Sequence, residues 1–248
     1  MFFMRLTVLG CNGPYPAPEG ACSGYLVEAE GAALQLDLGS GVLARLTGRM
    51  PPEELTALLF SHWHGDHCSD LLPLIYRLGS VAQRLGGAYR PLPVYGPEDP
   101  TSPVWQEASR CPLLALHALR PGDTLSLGPV AVEALEARHP VPAVMYRLCA
   151  GGKCLAYTGD TNTTGDLPRL AQGADLLLAD GLFPKAAWGE QKPHLSAAQC
   201  GELARDAGAK TLVVTHLNPE YDPETLLREA RECYPGADLA RTGLSLEI

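Results

Sequence analysis

Residues 61–67 read SHWHGDH, three histidines and an aspartate within six consecutive positions. The whole chain has only seven histidines in 248 residues, so three in one loop demand a cause. At the chain's own His and Asp frequencies the pattern H-x-H-x-D-H arises by accident roughly once in several thousand chains of this length, which makes chance a poor explanation. A metal site is a better one. His62 and His64 stand two apart and in extended backbone project to one side, so both imidazoles can reach a single ion. Gly65, with its freedom in φ, is expected to turn the chain so that Asp66 and His67 face a second ion.

Length and composition limit what such a cluster can serve. A chain of 248 residues with 46% hydrophobic side chains can bury a substantial core, and it is read as one domain over 1–248. The net charge is −9 and no run of Lys or Arg occurs, so extended nucleic acid is not expected as a partner. The N-terminal MFFMRLTVLGCNG is interrupted by Arg5 and Thr7 and reads as a strand rather than a signal peptide. No apolar stretch approaches the ~18 residues of a membrane helix, so a cytoplasmic location is expected and no membrane partner. Eight cysteines are scattered without a C-x-x-C pair. Cys149 and Cys154 flank the turn AGGK and could face each other across a hairpin, but a reducing compartment favours free thiols at all eight.

Ten short apolar runs bounded by Gly, Pro or Asp read as strands: RLTVLG, SGYLVEA, AALQLDLG, TALLFSH, LPVYG, VAVEAL, AVMYRLC, KCLAYTGD, DLLLAD and TLVVTH. Helical periodicity follows the histidine cluster in SDLLPLIYRLGSVAQRL, with Pro73 in or near the first turn. SAAQCGELARDAG is a helix with Ser196 as N-cap, Gln199 as capping-box partner and Gly208 closing it. DPETLLREAREC repeats that logic with Asp222 as N-cap and Pro223 at the first helical position. The proline-rich piece at 89–103 reads as a surface connection.

Polar residues end several of these runs. His139 follows VAVEALEAR, Asp160 ends KCLAYTGD and His216 ends TLVVTH, so strand C-termini at one rim could bring all three to the 61–67 loop. Together they suit two ions. His62, His64 and His139 would hold one, Asp66, His67 and His216 the other, and Asp160 would bridge them, with a position left on each for water.

In this order, SHWHGDH, His139, the TGD ending at Asp160, and His216 resemble the metal motifs of the metallo-β-lactamase fold superfamily. PGDTLSLGPVAVEALEARHPVPAVMYRL, GGKCLAYTGDT and HLSAAQCGELARDAGAKTLVVTHLNPEY are similar to segments of its branch of ribonuclease Z and short phosphodiesterase-like proteins, as is LDLGSGV at 36–42. The resemblance runs from about residue 5 to 225. It implies an α/β fold, a four-layer αββα sandwich, with a dinuclear site, usually zinc, at one edge of the sheets. Imidazole and carboxylate ligands also accept manganese or iron. Homodimerisation is implied by likeness alone.

The resemblance further implies a hydrolase in which a hydroxide bridging the metals attacks phosphorus, with Asp66 and His194 as catalytic groups. His194 corresponds to the histidine of the H-S-T segment of ribonuclease Z, which acts on the phosphate and is not a ligand. One departure stands out. Asp160 follows His139 by only 21 positions, filled by a strand, a turn and a strand, where the tRNA-gripping arm of ribonuclease Z is commonly inserted. A small phosphodiester is therefore the expected substrate. The alternatives are a tRNA 3′-processing endoribonuclease and a non-catalytic, metal-stabilised binding protein; β-lactam hydrolysis is disfavoured because Asp160 stands where periplasmic members commonly have cysteine. Asp37 either bonds within its turn or supports a ligand histidine. Asp180 could orient a catalytic histidine or merely cap, and His117 reads as a surface or packing residue.

Overall fold

The computed structural model describes residues 3–248. It contains two seven-stranded mixed sheets. The first comprises β1 (Met4–Gly10), β2 (Gly24–Ala29), β3 (Ala32–Leu36), β4 (Ala57–Leu59), β5 (Leu92–Pro97), β6 (Leu114–Leu119) and β14 (Ser245–Glu247), in the order β14-β1-β2-β3-β4-β5-β6. The second comprises β7 (Thr124–Leu127), β8 (Val130–Glu136), β9 (Val144–Ala150), β10 (Lys153–Tyr157), β11 (Leu176–Asp180), β12 (Leu212–Thr215) and β13 (Ala237–Leu239), in plain reverse order.

The inner faces meet in one core, Leu6, Tyr25, Val27 and Leu36 from the first sheet against Tyr146, Leu148, Tyr157 and Leu178 from the second. Helices cover both outer faces. On the first sheet α1 (Val42–Thr47), α3 (Leu71–Leu85) and α4 (Pro103–Arg110) bury Val42, Leu46, Leu74 and Leu78 against Leu58, Phe60 and Val94. On the second, α5 (Leu167–Ala171), α6 (Ala197–Asp206) and α7 (Pro223–Cys233) bury Leu170, Cys200, Ala204 and Leu226 against Leu177, Leu212 and Val214. Both faces of the central strands are thus covered, which explains why β2, β4, β11 and β12 are almost continuously apolar rather than alternating. This is the expected αββα sandwich.

Capping follows the sequence chemistry. Ser196 and Gln199 form the reciprocal box that starts α6, and Gly208 closes it at φ +65°. Asp222 accepts from the amides of Glu224 and Thr225 with Pro223 behind it, and Pro73 sits in the first turn of α3.

Three expectations need correction. The 89–103 piece is not only a connection, because the LPVYG run within it forms the expected strand, β5, paired on both sides within the first sheet. Its prolines are tolerated there because β4 pairs only with Val94 and Tyr95, so the missing N–H of Pro93 removes no bond from that side. Cys149 and Cys154 are not free thiols but form a disulfide. They are direct cross-strand partners in the β9–β10 hairpin, with Cα atoms 4.2 Å apart, so local pairing alone brings the sulfurs together. Gly65 is not the hinge of the histidine loop: it does not adopt positive φ, and the turn is made by extended His64 leading into the short helix α2 (Gly65–Cys68).

Directionality places the site. β3, β4 and β5 run parallel, as do β10, β11 and β12, while β8 runs antiparallel to β9 and therefore in the same sense as β10. The C-terminal ends of β3, β4, β8, β10, β11 and β12 accordingly open onto one rim. Among the described residues no helix is long and apolar enough to cross a membrane.

Candidate metal centre

The seven proposed ligands meet at that rim in two groups. His64 Nδ1 lies 3.0 Å from His62 Nε2 and 3.1 Å from His139 Nε2. One ring nitrogen carries at most one proton, so His64 cannot satisfy both neighbours by hydrogen bonding. A shared cation can, since tetrahedral ligands ~2.0–2.1 Å from zinc stand roughly 3.3 Å from one another. In the second group His67 Nε2 is 3.3 Å from His216 Nε2 and 3.1 Å from Asp160 Oδ1, and Asp66 Oδ2 is 3.1 Å from His216 Nε2. Asp160 joins the groups, its Oδ2 lying 3.4 Å from His216 Nε2 and 3.7 Å from His62 Nε2. Although His67 is close, Asp160 Oδ1 is buried with no properly directed hydrogen-bond donor. An orphaned carboxylate oxygen beside converging imidazoles fits a bound cation.

The electrostatics agree with that fit. Burial, followed by the charge of His67, holds His62 well below the usual histidine range, and burial pulls His139 down to about 4, so both are neutral, as metal-binding imidazoles must be. Burial also opposes charge on His67 and His216, yet the carboxylates around them win: Asp160, Asp37 and Asp66 raise His67 far above its ordinary value, and Asp160 with Asp180 and Asp66 raise His216 to about 10. The acidic residues of this group therefore call for positive charge in their midst.

Several residues hold this arrangement in place. Asp37, fully buried, accepts from the Ser61 amide at 2.7 Å, the Ser61 hydroxyl at 2.9 Å and the Tyr157 hydroxyl at 2.5 Å, and its Oδ2 lies 2.8 Å from His67 Nδ1. It thus supports a proposed ligand histidine rather than its own turn. Asp37 and His216 are two of four non-glycine residues with positive φ among those described, at 52° and 58°. Such backbone costs of order 1–3 kcal/mol and survives only where surrounding contacts enforce it. At Asp37 the bonds to Ser61, Tyr157 and His67 do so. Two glycines permit the close packing: a Cβ on Gly13 would lie 1.9 Å from His216 Nε2, and one on Gly39 would lie 2.0 Å from the Asp66 carbonyl.

His194 lies beside both groups. Its Nδ1 is 2.8 Å from Asp180 Oδ2, its ring stacks on His216 at 5.0 Å, and it faces His139 edge-on at 5.4 Å. Asp180, His194, Asp160 and His216 also form a compact set by themselves. Asp180 thus holds the ring of His194 and lies 3.5 Å from His216 Nδ1, so it does more than cap its strand. His117 joins none of these groups; on β6 it stacks on Tyr95 with ring centroids 4.8 Å apart. Ser61, Tyr157 and the Pro193 carbonyl, which accepts from His139 Nδ1 at 3.2 Å, escaped the sequence reading. Tyr157 was within reach of it, because alternation along β10 puts Leu155 and Tyr157 on the inner face together.

Exchanging Asp37 for asparagine turns an amide NH2 toward donors that now meet a carboxylate. The expected result is a roughly 10–100-fold loss of metal affinity at the His67 group, the usual cost of an outer partner of a ligand histidine. Competition against a chromophoric chelator measures it, and wild-type affinity would remove Asp37 from the support of the site.

Fold and rim define a class. A model of the β-lactamase superfamily domain matches residues 37–217, and the chain belongs to that superfamily as one of its metallo-hydrolases. It is similar to the probable metallo-hydrolase YhfI of Bacillus subtilis, 32% identical across 98% of this chain and 100% of that one. The YhfI crystal structure superposes with a TM-score of 0.92, covering 99% of this chain and 100% of that one at 32% identity. Ribonuclease Z of Methanopyrus kandleri is 28% identical over 97% of this chain and 96% of its own. A diphosphatase of the PhnP family shares the fold at 20% identity, with a TM-score of 0.76 covering 99% and 98% of the two chains.

Proposed function

We propose that this chain is a phosphodiesterase that cleaves small phosphodiesters at a centre of two divalent ions, zinc foremost. His62, His64 and His139 would hold one ion and Asp66, His67 and His216 the other, with Asp160 within reach of both groups. When bound, such a pair supplies Lewis acidity to the phosphoryl oxygens and an ionised water at neutral pH. The protein's own groups do the rest. Asp66, only partly buried, is the carboxylate placed to take up the proton released on attack. Asp180 fixes the ring of His194 through Nδ1, while among the described residues none bonds Nε2, which is the nitrogen placed to protonate the departing alkoxide.

The observation that carries the choice of substrate is the β9–β10 hairpin. From His139 to Asp160 the chain does nothing but form these two strands and their turn, so no arm projects there to grip a folded RNA. The alignment with M. kandleri ribonuclease Z occupies 276 positions against the 248 residues of this chain, so that protein carries at least 28 residues with no counterpart here. The net charge of −9 points the same way, since binders of several phosphates need cations to displace counterions.

The test is a panel of bis(p-nitrophenyl) phosphate, cyclic nucleotides, cyclic phosphoribose, dinucleotides and pre-tRNA on metal-loaded protein, with and without chelator. Chelator-sensitive turnover of small diesters is expected, with no salt-dependent binding of pre-tRNA. Tight pre-tRNA binding that weakens steeply with salt would favour the endoribonuclease, and no turnover of any diester would favour a non-catalytic metal protein.

A further inference from the structure

We infer that Asn162 is a positioning residue that sets His194 against the metal centre, an inference that rests on the acid role of His194 proposed above. Asn162 is fully buried, two positions beyond Asp160, and its backbone pairs with that of Arg138, next to His139. Its side-chain amide donates to the carbonyl of Lys192 at 2.5 Å and to that of Glu190 at 3.3 Å. The orientation of the carboxamide is fixed, because Oδ1 accepts from the Thr163 amide at 2.6 Å.

These bonds belong to a larger pattern in the segment that leads into His194. The Glu190 carbonyl also accepts from Arg138 Nη2 at 3.1 Å, the Pro193 carbonyl from His139 Nδ1 at 3.2 Å, and the His194 carbonyl from Trp188 Nε1 at 3.0 Å. Four carbonyls within five residues are thus held by side chains, two of them by Asn162. Between Trp188 and α6 the segment has no strand or helix of its own, and its backbone is held only by one turn bond and by pairing with Phe183 just ahead of α6. Asn162 ties the loop after β10, which carries Asp160, directly to the carbonyls of Glu190 and Lys192, four and two positions before His194. Asp180 joins the ring of His194 to the Thr161 amide, and the Asn162 carboxamide adds the tie from the same loop to the backbone that carries His194, so the two together set the distance between Asp160 and the proton donor. A misplacement of about 1 Å in such a pair can cost roughly a hundredfold in rate.

The experiment compares methyl phenyl phosphate with methyl p-nitrophenyl phosphate, diesters that differ only in how much their leaving group needs a proton. Asn162→Ala should lose roughly ten- to a hundredfold in kcat on the phenyl ester and much less on the nitrophenyl ester, with wild-type metal content. Asn162→Asp, equal in shape but without the donor, should do the same, which separates hydrogen bonding from packing and supplies a second folded variant. In a His194→Ala background, Asn162→Ala should cost nothing further, because the two act through one step. In metal-free Asn162→Ala protein, amide exchange should quicken in peptides spanning 186–196 and at Thr163, whose acceptor is removed, and nowhere else. Equal losses on the two esters, additive losses in the double variant, or unaltered exchange would overturn the inference. If His194→Ala itself shows no preference between the esters, the acid role fails; if it does and Asn162→Ala does not, only the positioning role fails.

Discussion

Replacing His64 with alanine should strip the protein of most of its bound metal and reduce hydrolysis to background. His64 Nδ1 is the one atom that faces both His62 Nε2 and His139 Nε2, so its removal takes away the centre of the first group and leaves two imidazoles. Two neutral nitrogens and a shared carboxylate oxygen hold a divalent ion poorly at a site that is half open to water. Loss of an outer partner already costs roughly 10–100-fold in affinity, and loss of a direct ligand should exceed that. The fold should persist, since His64 is only partly buried and contributes to none of the three apolar cores. Metal content and thermal melting of the same preparation check both parts. A variant that retains its full complement of metal would displace His64 from the site.

His194→Ala should have the opposite character: both metals and substrate affinity kept, turnover lost by roughly a hundredfold or more, the usual size of a missing general acid. The ring is held from outside the metal groups, by Asp180 at 2.8 Å, and Ser196 caps α6 whether or not an imidazole precedes it. Removing the side chain therefore leaves the helix start and the proposed ligand shell in place. Asp180 loses one partner but still accepts from the amides of Thr161 and Leu182, both at 3.2 Å. Near-normal turnover in a fully metallated variant would exclude His194 from the chemistry. Loss of metal would instead make it a ligand, through the compact set it forms with Asp160, Asp180 and His216.

What the sequence disclosed depended on how local the signal was. SHWHGDH carries its geometry within itself: the i, i+2 relation of His62 and His64 in extended backbone predicts that both rings project to one side, and their nitrogens lie 3.0 Å apart. His139, Asp160 and His216 each end an apolar run, which sufficed to place them at one rim once parallel strand directions were assumed. The supports of these residues were harder to read. Tyr157 meets Asp37 only because two sheets pack face to face, whereas Ser61 reaches it from the end of the neighbouring parallel strand β4, a pairing that the sequence does not reveal. Asn162 reaches carbonyls 28 and 30 positions away in a segment without periodicity.

Most of the elements overlooked have too few residues to show a period, whereas α4, with eight residues, was missed although Ser102 and Pro103 give it an N-cap and a proline at the first helical position. β13 and β14 have three residues each, β7 has four, and α5 has five. LALHAL in β6 is long enough, but a run of this kind is as compatible with a buried helix as with a strand. The disulfide was misjudged for a different reason: compartment was weighed above register, whereas Cys149 and Cys154 oppose each other directly across a tight hairpin.

The dinuclear centre is tested most directly by elemental analysis of the wild-type protein, as purified and after stripping and reconstitution with zinc, manganese or iron. About two divalent ions per chain are expected, one for each group of ligands joined at Asp160. A protein that binds no transition metal even after reconstitution would contradict the site as a whole.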